Sequence, residues 1–178
     1  MFGLLSALVF IQFYIFPLSQ ISRNVLLGIN SPYTSQSMIA RAKGIYLPPN
    51  AEKPMFEAVE YIKTHTNKGE KIFVGNNNHD AIGMNNILFY FLAERGCGTR
   101  YHELAPGIAT LESTQKTIIN ELLSNNVRYV VIEKDIQLTD TSGKGSKYLD
   151  NYLRSNYCPV MSNGQYTVLF PNNPGSNN

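Results

Sequence analysis

Apolar positions along the chain change period several times, and each change marks an element. Met55, Val59 and Ile62 recur on one face, with Phe56 beside them. That spacing predicts an amphipathic helix over 54–66, opened by Pro54 and closed near Lys68-Gly69. Lys71-Ile72-Phe73-Val74-Gly75 reads as a buried strand. Residues 86–95 are apolar nearly all round, the mark of a helix packed on two sides, and Gly96-Cys97-Gly98 stops it. Thr99 to His102 is short and is expected to form a second strand.

Ile118/Leu122 and Ile119/Leu123 stack at a spacing of four, so 113–125 is a helix. Tyr129-Val130-Val131-Ile132 after Arg128 has the unbroken apolar character of a strand buried on both faces. Asp135 to Ser146 is polar, carries Gly143 and Gly145, and is expected to be a flexible loop. Tyr148, Leu149, Tyr152 and Leu153 predict a last helix. Segments 158–161 and 166–170 flank Ser162-Asn163-Gly164-Gln165, and Asn-Gly between apolar runs signals a hairpin. The order is helix, strand, helix, strand, helix, strand, helix, hairpin. It predicts an α/β fold: a small three-layer sandwich, its sheet mostly parallel with a C-terminal antiparallel hairpin. Val131 is expected at the centre of the sheet, with Leu88, Leu92, Ile118, Leu122 and Leu149 among the covering residues.

The ends differ from the middle. Phe2 to Phe16 is apolar apart from Ser6 and Gln12, and the stretch to Ile29 carries only Arg23 as a charge. Phe2–Phe16 alone is shorter than the roughly 20 residues of a spanning helix, and no basic region precedes it as in a signal peptide. It reads either as a buried helix or as the end of a membrane helix; the membrane is favoured because no later segment offers a partner surface. An N-terminal apolar helix over 1–29 is therefore expected, then a connector over 30–53, the α/β domain over 54–171 and a disordered tail over 172–178.

Composition narrows the function classes. Of the 178 residues 43% are hydrophobic and 16% charged, and the net charge is +2. The basic residues are scattered without interleaved aromatics, which argues against nucleic acid. Cys97 and Cys158 are too few and too far apart for a disulfide framework or a zinc knuckle, and two unpaired thiols are expected.

Candidate chemistry concentrates in two places. The strand 71–75 runs into Asn76-Asn77-Asn78-His79-Asp80, and a second imidazole–carboxylate pair follows in Arg100-Tyr101-His102-Glu103. Ligands gather at the carboxyl ends of parallel strands, so Asn76, Asn78, His79, Asp80, Arg100, Tyr101, His102 and Glu103 form the candidate ligand site. Imidazole with carboxylate can ligate zinc or shuttle protons. Adjacent strand residues point to opposite faces, however, and no second ligand motif accompanies these pairs. The competing reading has His79 and Asp80 capping the next helix while His102 and Glu103 tie loops together. No GxGxxG, P-loop lysine or GxSxG is present, and neither a cofactor nor a resident metal is expected.

Glu60-Tyr61-Ile62, the strand 71–75, His79-Asp80, Phe89-Tyr90-Phe91-Leu92, the segment 100–107 and Val127-Arg128-Tyr129-Val130-Val131 together resemble a known kind of domain. It is the soluble C-terminal domain of bacterial polytopic membrane proteins related to the GT-C glycosyltransferases, often described as dolichyl-phosphate-mannose-protein mannosyltransferase-like. The resemblance implies an extracytoplasmic α/β domain at the cell inner membrane, in a parent that transfers sugar from a polyprenyl-phosphate donor. In that family the catalytic acids lie in an early loop between membrane helices. That loop has no counterpart in these residues, so the resemblance assigns no catalytic residue. It implies an accessory or binding domain, from a fragment of a longer protein or a short relative. Two alternatives stay open: a stand-alone hydrolase built on His79, Asp80, His102 and Glu103, and a structural docking domain.

Overall fold

The computed structural model describes residues 37–43, 45, 47, 49–81, 83–104, 107–134 and 145–172. The expected apolar helix 1–29, the loop 135–144 and the tail from 173 onward lie outside the described residues. Among the described residues no helix is long and apolar enough to cross a membrane. The chain divides into two compact units, Met1–Pro48 and Pro49–Asn178. In the first, the described element is a 3-10 turn over Ala40–Ala42.

The second unit is a mixed α/β domain. Its elements are α1 (Pro49–His65), β1 (Lys71–Asn76), α2 (Leu88–Ala93), β2 (Gly96–Cys97), α3 (Glu112–Ser124), β3 (Tyr129–Glu133), α4 (Tyr148–Asn156), β4 (Tyr157–Ser162) and β5 (Tyr166–Pro171). The order of helices, strands and hairpin is the one the hydrophobic pattern predicts. Boundaries differ where local chemistry is ambiguous. Helix α1 begins at Pro49, inside the expected connector, so Pro54 lies within the helix and removes the N–H that the Asn50 carbonyl would receive. Pro171, the last residue of the expected domain, ends β5 opposite Tyr157.

The five strands run in the order β2-β1-β3-β5-β4. Strands β2, β1 and β3 are parallel, with Val74 beside Val131 and Asn76 beside Glu133. The hairpin joins antiparallel through β5, which places Val168 beside Val131. Phe73 and Val130 point to one face, where Ile118, Leu122, Leu149 and Leu153 from α3 and α4 cover them. Val74 and Val131 point to the other, where Phe89 of α2 meets Tyr166 at 5.6 Å between ring centroids. Two helices on each face leave Ile72, Phe73, Val74, Val130 and Val131 with no solvent exposure at all, the condition under which an unbroken apolar strand is stable.

Strand β2 is the exception to the sequence reading. It pairs only Gly96 with Lys71 and Cys97 with Ile72, and Thr99–His102 continues without a ladder. Glu94 at φ 56° ends α2 in the left-handed region, two residues before the stop that the glycines suggest.

Candidate functional site

A two-residue β2 leaves the outer edge of β1 short of backbone partners, and buried backbone groups must find them elsewhere. Side chains supply them. The Ile72 carbonyl still accepts from the Gly98 N–H at 2.8 Å. Beyond that point Val74 N–H donates to the Tyr90 hydroxyl at 2.9 Å, and the Asn85 amide donates to the Val74 carbonyl at 2.8 Å. Asn76 N–H donates to His79 Nε2 at 3.1 Å. Burial first, then the Cys97 thiol, push the Tyr90 hydroxyl well above the ordinary phenol range, so it stays protonated while it accepts the Val74 N–H.

His79 is thereby fixed at both ring nitrogens. Its Nδ1 lies 2.6 Å from Asp150 Oδ1, and its backbone N–H donates to Asp150 Oδ2 at 3.0 Å. A carboxylate only accepts, so Nδ1 carries the proton and Nε2 offers its lone pair to Asn76. The ring lies against Gly75, where an added Cβ would come 2.8 Å from Nε2. Asp150 occupies the first turn of α4, so this pair ties the carboxyl end of β1 to the start of a helix. The imidazole has no nitrogen left for a metal or a substrate proton.

The other predicted residues fall in different surroundings. Asp80 is buried; its Oδ2 lies 3.3 Å from Lys147 Nζ, and Oδ1 has no hydrogen-bond partner. Asn76 is also buried and donates to the Gly83 carbonyl at 2.7 Å, with Oδ1 unpartnered. Asn78 Oδ1 accepts the Asp80 N–H at 3.4 Å, a local turn contact. Neither His79 nor Asp80 caps α2, whose N-terminal residue Ile87 makes no side-chain cap.

Arg100 turns away from Asp80 and Glu103. Its guanidinium pairs with Glu121 on α3, and its backbone N–H donates to Glu121 Oε2 at 2.8 Å. Burial disfavours ionisation of Glu121, but the Arg100 N–H and guanidinium outweigh it and hold the carboxyl below its usual range. His102 is exposed; its Nδ1 lies 3.3 Å from the Arg100 carbonyl, and its own carbonyl accepts from the Asn85 amide at 3.0 Å. Glu103 is exposed, and Tyr101 packs part-buried against the core between the sheet and α3. Arg100 and His102 border a shallow depression with Lys71 and Glu121. The eight predicted residues therefore occupy two places, because β2 stops level with Ile72 while the His79 loop begins beyond Asn76. Among the described residues no three His, Cys, Asp or Glu side chains stand together as a metal would require.

A crevice opens instead between α4 and the β3-β5-β4 part of the sheet, and it reaches the carboxyl end of β1. Asn76 and Asn77 at the end of β1 and Lys134 after β3 form its rim. Asp150, Leu153 and Arg154 of α4 make one wall, and Ile132, Thr167 and Leu169 of the sheet make the floor, around about 350 Å³. The two cations at this crevice have neutral partners: Lys134 Nζ donates to Ser162 Oγ at 3.0 Å, and Arg154 to Asn151 Oδ1 at 3.5 Å.

Behind the crevice, Gln115 joins the loops. With no exposed surface, its amide nitrogen shares its two hydrogens among the carbonyls of His79 at 3.0 Å, Ala109 at 3.1 Å and Ser146 at 2.7 Å. Its Oε1 accepts the Leu149 N–H at 2.9 Å. The sequence does carry a trace of this: Gln115 and Thr114 are the polar residues in the helical stripe with Ile118, Ile119 and Leu122. Asp150, Lys134 and Arg154 have no such signal, since single charges near a helix or strand end are ordinary. Compared with protein-family models, with curated proteins and with solved structures, the chain gives no match.

Proposed function

We propose that this chain is a ligand-binding accessory domain of a membrane glycosyltransferase-like protein, holding an anionic sugar-phosphate group without carrying out the transfer itself. The crevice between α4 and the sheet, which reaches the carboxyl ends of β1 and β3, carries this reading. Among the described residues its two cations have only neutral partners, and side-chain hydrogen bonds from His79, Asp150 and Gln115 hold the loops beside it. A site preorganised in this way binds without large ordering costs. The engagement of both His79 nitrogens supports binding over proton transfer. The membrane parent, its extracytoplasmic side and its polyprenyl-phosphate donor rest on the resemblance of the 60–131 segments. Isotope-labelled protein titrated with mannose 1-phosphate tests the reading. Shifts at Asn77, Lys134 and Arg154 are expected at millimolar ligand or below; a spectrum unchanged there sinks it.

A further inference from the structure

Resting on that reading of the crevice between α4 and the sheet, we infer that its ligand is an amphipathic organic anion, whose apolar body enters the crevice together with its charge. The lining is of two kinds. Lys134 and Arg154 are the cations, and Arg154 can meet a phosphate or carboxylate with two parallel N–H groups. Beside them Leu153 of α4 and Ile132, Leu169 and the ring of Tyr157 on the sheet form an apolar surface that an inorganic anion leaves uncovered.

Asp150 also lines the crevice and keeps its negative charge, since the His79 imidazole it binds is neutral, but the two cations there outnumber it. Its two oxygens are occupied by the His79 ring N–H at 2.6 Å and backbone N–H at 3.0 Å. The volume of about 350 Å³ is near the lower end for small-molecule sites, enough for one ring or short chain with its charged group. Such sites draw affinity from apolar contact and orientation from a few polar groups.

A ligand series read at the crevice resonances tests this on the full chain. The probes are inorganic phosphate, phenyl phosphate and benzyl alcohol. Phenyl phosphate is expected to bind about tenfold or more tighter than inorganic phosphate, given the apolar area a ring covers. The double variant K134Q/R154Q, both at exposed or half-buried positions, should lose that binding while keeping the far-ultraviolet dichroism of the parent. Equal affinity for phosphate and phenyl phosphate overturns the amphipathic ligand but leaves an anion site intact. Benzyl alcohol binding as well as phenyl phosphate overturns the role of the cations. No response at the crevice to any probe, mannose 1-phosphate included, removes both this inference and the binding function it rests on.

Discussion

Buried polar side chains in this domain act mainly as substitutes for missing backbone partners. Arg95 is the fullest case: a nearly buried guanidinium that donates to the carbonyls of Lys63, Thr66, Ala93 and Glu94 and to the Thr66 hydroxyl. These oxygens lie at or just past the C-terminal ends of α1 and α2, where carbonyls lack helical partners and the dipole favours a cation. Gln115 does the same for four loop groups, so Gln115→Ala should cost on the order of 2–4 kcal/mol, because it orphans buried carbonyls and one N–H. Urea unfolding measures it; a loss under about 0.5 kcal/mol would mean that water replaces the amide. The acidic side chains give a pH signature. Glu70 and Glu121 are both desolvated, yet Asn67 and Arg128 at Glu70, and Arg100 at Glu121, lower their folded pKa below 4.5. A lowered folded pKa stabilises above the unfolded value and loses that contribution as pH falls through the folded one. Stability should therefore decline below about pH 4.5, and E121Q should show a shallower decline over that range, with the difference shrinking in high salt.

At the scale of elements, β3 decides whether the sheet holds together. It lies between parallel β1 and antiparallel β5, with Val131 facing Val74 on one side and Val168 on the other. Val131→Ala should cost about 2 kcal/mol or more, since neither neighbour can close the space left. Denaturant melts resolve this, and a loss well under 1 kcal/mol would be the behaviour of an edge strand. Strand β2, by contrast, contributes two residues, and α2 and the Asn85 turn complete the β1 edge in its place. The hairpin follows its sequence signal closely. Gly164 adopts φ 93°, Asn163 Oδ1 accepts the Tyr166 N–H at 2.9 Å, and the Asn163 N–H donates to the Tyr166 carbonyl at 3.1 Å.

For the whole molecule, the proposed membrane attachment rests on Phe2–Ile29. Transferring that many apolar side chains into lipid is favourable at about 0.8 kcal/mol per CH₂. The expressed chain is expected in the membrane fraction, released by detergent and not by high salt. A monodisperse monomer in the supernatant without detergent would rule out that attachment. Both cysteines are unpaired thiols, Cys158 exposed on β4 and Cys97 half-buried beside Tyr90.

The hydrophobic pattern by itself determined the succession of elements, because strand and helix periods depend only on which residues must face a core. It also identified the carboxyl end of β1 as the place where polar groups collect. What it could not determine was which strand lay beside that end. Sequence order suggested the segment 99–103, the next after α2, whereas the sheet sets β3 there, from residues more than fifty positions onward. The same holds for His79. Its neighbour Asp80 is adjacent in sequence, but its partner is Asp150, brought 71 positions along the chain by the packing of α4. Local chemistry is written in short-range spacing; the pairing of charges and amides across a crevice exists only once distant elements have packed.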